Sequence, residues 1–532
     1  MKKHVSPSIL LFLLSISFST AQVNYNLAWS NEELSNIQSY THTATSIKLN
    51  SNNEAIVAST LIDGNQHDLL ISKYSESGVL IWKKIIDVKN NSRDAFKGLM
   101  IDKNDNIILL GTTKWPENIY KLYLLKLTSN GEKIFETNHN TDDQILYRPS
   151  ETIFDEDGNI YITGYTDINN PDYTDTPITR KKFFIIKFNQ NGAFQWEDKI
   201  QTTNSMGYTL RIINNILSVV GSIAPQYSKS ILFYRTYTKN GILINNHEKE
   251  TELRPRFVYL DKDGNSYSNH GRGFGITKYN NIGIKQWEFK VPINLPDNVS
   301  TTTLKNVISD RFGNIYLSGT HHGKFYNDPT KYTNGDLYVA KISPKGKIIY
   351  TYTYNNQGKN TYERGNRMFL GKNNYLFIGG QSQDDFGDRH NYLAIVLNDF
   401  GKPIHIINEK TIGESVIGSV AADTDLNFYV TGVSNNNIVT KKYAFKGSLI
   451  TDFRIFPNPF KEELLISLPG ISSHTDFKLF DITGKQLFHK TYENTRSILV
   501  DTRLLKNGFY FYQISSSDGN IQSGKIIKID TK

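Results

Sequence analysis

A short phrase, an asparagine-centred turn followed five residues later by the end of an apolar strand, recurs eight times along this chain of 532 residues. Asn106 to Gly111 (NIILLG), Asn159 to Gly164 (NIYITG), Asn314 to Gly319 (NIYLSG), Asn374 to Gly379 (NYLFIG) and Asn427 to Gly432 (NFYVTG) are the clear copies. Asn53 to Ala58, Asn215 to Gly221 with one extra residue, and Asn265 to His270 are degenerate ones. Equivalent endpoints lie 49 to 60 residues apart, near the ~40 to 50 expected of a four-stranded propeller blade. The spacing predicts an all-β, multi-bladed β-propeller with eight blades counted and seven as the alternative.

Within a repeat the apolar alternation has the period of strands. The turn before the second strand is polar and often holds glycine, as in Asp155-Glu156-Asp157-Gly158-Asn159 and Asp261-Lys262-Asp263-Gly264-Asn265. Asp and Asn bond their own main chain and Gly accepts left-handed angles, so this is hairpin chemistry. The same acids resemble half of a calcium loop, but Thr166 and Arg272 stand where its distal glutamate belongs, and no metal is expected. A third strand follows, such as LYLLKL (122–127) or LYVAKI (337–342), then a second glycine turn. Four residues after that glycine stand Trp82, Phe135, Trp196, Trp287 and Tyr350. A large ring at one fixed place in each outer strand is expected to fill the space between neighbouring blades.

The ends of the array argue for closure. The eighth copy runs through Tyr443 and stops after Gly447 without a fourth strand, whereas Asn26-Leu27-Ala28-Trp29-Ser30 reads as a fourth strand with nothing before it. Pairing the two would leave no open edge. The phrase D-x-x-G-N-x-Y followed by a strand with lysine before its last apolar residue resembles a bacterial β-propeller repeat family usually described as seven-bladed, over residues 23–449. The resemblance implies the fold and says little of function.

Past Ile450 the pattern changes. Phe456-Pro457-Asn458-Pro459 opens a unit of short alternating segments: LLISL (464–468), FKLFD (477–481), QLFHK (486–490), SILVD (497–501), GFYFYQI (508–514) and GKIIKI (524–529). They predict a small Ig-like antiparallel β-sandwich. The start at Pro457, Asn458 and Pro459, then Asp481, Gly484 and Lys485, then Leu505, Gly508 and Tyr510, then Gly524, Lys525 and Lys528, resemble in order the type A C-terminal sorting domain of the type IX secretion system. That resemblance implies handling by type IX secretion machinery and passage across the outer membrane of a Gram-negative bacterium. The cargo would then be released or joined to surface lipopolysaccharide.

The start of the chain is basic at Lys2 and Lys3, apolar from Ile9 to Phe18 and small at Ser19-Thr20-Ala21. It reads as a secretory signal peptide over residues 1–21, leaving a propeller at 22–449 and a sorting domain at 450–532. The apolar run is shorter than the roughly 20 residues that span a bilayer, so no transmembrane segment is expected in the mature chain. There is no cysteine, which removes disulfides, thiol catalysis and lipidation at cysteine. Without residues 1–21, 60 bases against 52 acids become 58 against 52. This weak, interspersed surplus does not point to nucleic acid.

No zinc-protease, serine-hydrolase, phosphate-binding or dinucleotide motif is present, and no cofactor is expected. Recognition is expected where blades differ, in the connections from second to third strand. These carry Trp115; Tyr173; His321, His322, Phe325 and Tyr326; and Phe386 with Arg389. Rings among polar residues suit an extracellular glycan or protein. The sequence therefore reads as a secreted or cell-surface binding or adhesion protein. A carbohydrate-active hydrolase or lyase on the same scaffold, and a structural envelope component, are the alternatives.

Overall fold

A computed structural model describes residues 25–33, 45–64, 66–90, 92–115, 119–140, 145–168, 181–200, 202, 204–224, 229–251, 255–270, 275–290, 303–322, 335–355, 362–383, 390–410, 415–446, 453–516 and 521–529. Two compact units emerge, Tyr25–Phe445 and a second one holding Lys446–Lys532.

The first unit is built from four four-stranded sheets and two eight-stranded ones. Each large sheet is two blades joined by a single parallel pair, His67 with Arg93 or Gly335 with Tyr362. Among the described residues the blades therefore number eight. Each inner strand abuts the inner strand of a neighbouring blade for most of the circuit, and Thr45–Leu49 of blade one meets Ser415–Ala422 of blade eight. The seven-blade alternative is thereby set aside.

The repeated turn forms for the reason its residues suggest. Asp155 Oδ1 accepts the backbone N–H groups of Asp157 and Asn159 at 3.0 and 2.9 Å, and Gly158 takes φ +81°. The other carboxylate oxygen accepts from Asn159 Nδ2 at 2.9 Å and the Tyr161 hydroxyl at 3.0 Å. Asp261 repeats this with Asp263, Asn265 and Tyr267, and Asp310 and Asp423 do likewise. Both oxygens of each acid are engaged in closing the hairpin, so the D-x-x-G-N phrase is a structural device.

Closure is completed by the beginning of the described chain. Tyr25–Glu33 pairs antiparallel with Asn437–Phe445, placing Leu27 opposite Tyr443 and Trp29 opposite Lys442. Across the seam, Ile47 N donates to Ser419 Oγ at 3.2 Å. Ile47, Ala55, Val57 and Tyr74 of blade one share one apolar cluster with Ala421 and Tyr429 of blade eight. First and last blades thus pack as any other neighbours do.

Outer-strand rings lock six of the eight blades to the next. A Cβ added to Gly78, Gly131, Gly192, Gly241, Gly346 or Gly401 would meet Trp29, Trp82, Phe135, Trp196, Trp287 or Tyr350 at 3.1 Å or less. The indole N–H groups of Trp29, Trp82, Trp196 and Trp287 donate to backbone oxygens of Glu76, Ser129, Lys239 and Pro344, all at 2.8–3.2 Å. The lysine of the third strand reaches the same carbonyls in three blades: Lys73 to Ser129, Lys187 to Lys239 and Lys442 to Glu76. Blade four lacks an outer aromatic, and Tyr234 of its third strand covers Gly283 instead.

The second unit differs from expectation in its strand lengths. The segment 464–468 and residues 477–480 belong to one strand, Glu463–Phe480, and the segments 486–490 and 497–501 to another, Gln486–Asp501. Pairing passes from Ser467 with Ser497 to Ser472 with Thr495, so five residues of one strand oppose two of its partner. That bulge bends a continuous hairpin, and Leu464 and Ile466 from one half share a core with Phe477 and Leu479 from the other. Arg454–Phe456 pairs with the first half, and Gly508–Ser516 with the second.

Candidate functional site

Because the strands of a blade alternate in direction, connections from second to third strand and from fourth strand to the following blade lie at one end of the ring. Trp115 is at this end, after the strand Ile107–Lys114. Its half-buried ring lies beneath two ammonium groups, Lys89 at 4.2 Å and Lys121 at 4.7 Å from the ring centroid. Lys121 also donates to Asn140 Oδ1 at 3.1 Å. The Trp115 indole N–H is buried with no acceptor among the described residues. The π surface of this ring is therefore engaged by cations of its own protein.

His321 and His322 end the strand Ile315–His322, paired through the backbone with Asp336 and Gly335. Tyr173, Phe325, Tyr326, Phe386 and Arg389 lie outside the described residues, as does the whole segment 1–21.

Close to Trp115 in the fold, at the junction of blades one and two, Asp68, Asp87 and Asp94 bring carboxylate oxygens within 4.8 Å of one another. Asp94 is fully buried and accepts from Ser92 Oγ at 2.8 Å and Val88 N at 2.9 Å. Gln66 Nε2 donates to Asp68 at 3.1 Å. Burial first, with Asp87 adding to it, raises the pKa of Asp68 and of Asp94. Holding a proton relieves the repulsion within such a group. Nothing in the repeat pattern signals this trio, because its members come from three different strands or connections.

Acids on the inner strands decide what chemistry the ring axis can offer. Among the described residues they are Asp94, Glu151 and Glu363. Glu363 is fully buried and accepts from Ser382 Oγ at 3.5 Å. Glu151 is held by blade four, accepting from Thr209 Oγ1 at 2.6 Å, Leu210 N at 2.8 Å and Arg211 at 2.5 Å. Asp94 and Glu363 are thus buried in the wall of the ring, and Glu151 is held there by blade four.

In the second unit the ordered motif residues mostly build the fold. Asn458 Oδ1 accepts Ile527 N at 3.0 Å, and Phe460 exchanges backbone bonds with Ile527 and Ile529 at 2.8 and 2.9 Å, so the Pro-Asn-Pro segment is laid along the strand Ile521–Lys528. Asp481 Oδ1 accepts from Thr483 N and Lys485 N at 2.8 and 3.0 Å while Gly484 takes φ +85°, the same turn chemistry as in the blades. The Tyr510 hydroxyl donates to Lys506 O at 2.6 Å. Gly524 is covered by the Tyr512 ring, buried Lys528 donates to Lys461 O, and the Lys525 ammonium lies 3.9 Å from the Phe509 ring centroid.

Residues 454–529 match the secretion system C-terminal sorting domain. The protein is thus handled by the type IX machinery and delivered to the cell surface or the extracellular space. No described helix is long and apolar enough to cross a membrane. No curated protein matches the chain. Among solved structures, a streptogramin B lyase is similar at 13% identity, covering 79% of this chain and 98% of its own, with TM-score 0.37. Virginiamycin B lyase from Staphylococcus aureus, in a catalytically inactive form with quinupristin, has 10% identity, coverage of 78% and 98%, and TM-score 0.36. The WD40 domain of SCAP from fission yeast has 8% identity, coverage of 80% and 99%, and TM-score 0.43.

Proposed function

We propose that this protein is a non-catalytic recognition module that meets an extracellular glycan or protein after export. The observation that carries the reading is the state of the inner-strand acids. Hydrolysis of a glycosidic bond needs two carboxylates free to face a substrate, whereas Asp94 and Glu363 are fully buried and Glu151 is tied to three donors. The polar repeats are likewise engaged in turns and blade contacts, which leaves recognition to positions that differ between blades. The test is a glycan and peptide array probed with the full chain, followed by product analysis of every retained ligand. Retention without turnover is expected. Turnover of a retained glycan would establish the enzyme instead, and the absence of retention on every feature would favour a structural envelope role.

A further inference from the structure

The innermost strands of the eight blades are Thr45–Leu49, Arg93–Ile101, Ile145–Phe154, Ser205–Ile213, Pro255–Leu260, Thr303–Ser309, Tyr362–Leu370 and Ser415–Ala422. Together they contain nine lysines and arginines against three acids, a surplus of six. The whole chain has a surplus of only eight, 60 bases less 52 acids. Positive charge in this otherwise balanced protein is therefore concentrated around its axis.

A shared irregularity marks most of these inner strands. In seven of the eight inner strands the ladder to the second strand breaks at the same place, as between Phe96 and Gly98 or between Gly365 and Arg367. A bulge adds one unpaired residue and re-aims its side chain. The added residues include Lys97 and Lys305, and none of the seven is acidic.

Lys48, Lys97, Arg148 and Arg367 are exposed. Unlike Arg211, which Glu151 neutralises at 2.5 Å, these four have no carboxylate partner among the described residues. Enclosure by the surrounding blades lowers the pKa of Lys48 and Arg367, and for Lys97 the nearby Arg148 adds to it. All four stand on innermost strands, exposed yet partly shut off from bulk water by the blades on either side. The four cations come from blades seven, one, two and three, an arc interrupted only by blade eight, whose bulge holds Gly418 and Ser419. Like charges gathered in such a space repel one another until an anion enters.

We propose that the axial opening of the ring is a binding site for an anionic oligosaccharide, with Lys97, Arg148 and Arg367 as its principal contacts to carboxylate or sulfate groups. This rests on the recognition reading above and names the ligand class. A saccharide chain fits better than an acidic protein face because the cations line an enclosed axis. On the outer strands, by contrast, Lys133 and Lys285 are paired with Glu136 and Glu288 at 2.8 and 2.7 Å. Arginine and lysine supply the charge-assisted bonds, and Ser150 and Asn366 at two further bulges supply neutral partners for sugar hydroxyls.

The test is isothermal titration of the full chain with oligogalacturonate, a sulfated oligosaccharide, a neutral gluco-oligosaccharide and polyglutamate. Binding of one or both charged saccharides is expected, weakening with added salt, with no binding of the neutral one. Lys97→Gln and Arg148→Gln are each expected to weaken it about tenfold, the least expected on losing a charge-assisted hydrogen bond. Lys133→Gln, on an outer strand, is expected to change nothing. Carboxylated and sulfated probes separate the two anionic sources. The proposal is overturned if neither charged saccharide binds, if polyglutamate binds and they do not, or if the axial variants match the unaltered chain. Retention of neutral glycans or proteins on the array would leave the recognition reading standing without this site, whereas turnover would remove that reading itself.

Discussion

Gly241→Ala is the sharpest test of how the blades are locked. Gly241 has φ +87°, and a Cβ there would fall 2.7 Å from Trp196 Cδ2 and 2.9 Å from its Cγ. Alanine in the left-handed region costs about 1 kcal/mol, and forcing an atom into a packed contact adds about 1–3 kcal/mol. Gly158 has φ +81° but its nearest neighbour would be Gln190 Cβ at an ordinary 3.5 Å. Gly158→Ala therefore carries the backbone cost alone, about 1 kcal/mol. Urea unfolding followed by far-ultraviolet circular dichroism should show Gly241→Ala losing about 2–4 kcal/mol, roughly 1–3 more than the control. Placing both substitutions on a Trp196→Ala background completes the cycle, because removing the ring removes the clash but leaves the torsional cost. Equal losses at Gly241 and Gly158, or an undiminished Gly241 effect when Trp196 is alanine, would refute the lock.

Three further outcomes follow from the same geometry. Deleting residues 454–529 should leave the protein inside the cell, measured as the extracellular fraction on immunoblots, and an unchanged outside fraction would contradict the export assignment. In the sorting domain, Gly524→Ala would bring a Cβ to 2.5–2.6 Å from the Tyr512 ring. This domain should then melt earlier by several degrees, corresponding to about 1–3 kcal/mol of overpacking. His139, stacked on Phe194 at 4.9 Å, has its pKa pushed down to about 4 by burial and by Lys199 and Lys121. Its folded-state pKa lies below the unfolded value, so the unfolded chain takes up the proton first. Stability should be lost as pH falls from about 6.5 toward about 4 and then level off. His139→Gln should flatten that part of the pH profile, and an unaltered profile would exclude the histidine as its source.

Much of the ring was legible in the sequence because its causes are local. Asp155 with Asn159, or Asp261 with Asn265, closes a hairpin using atoms four residues apart, and such chemistry repeats wherever the residues do. The missing fourth strand after Tyr443 and the orphan strand at Trp29 announced their pairing. The two long strands of the sorting domain were not legible, because a bulge that lets five residues oppose two obscures the strand period. Nor was the acid trio, whose members belong to different structural elements. A charge tally restricted to the segment before each Asn turn would have found the axial cations, since that segment is the inner strand of its blade.

Sequence by itself determined the blade, the closure and the address: turn chemistry, strand period and ordered sorting motifs are short-range properties that survive without coordinates. Tertiary structure decided which charges meet. Lys97 and Arg148 stand 51 positions apart and become neighbours because successive inner strands curl around one axis, whereas Glu151 is withdrawn from that axis by Arg211 of the following blade. Electrostatic fields depend on distance through space, and only closing the ring sets those distances.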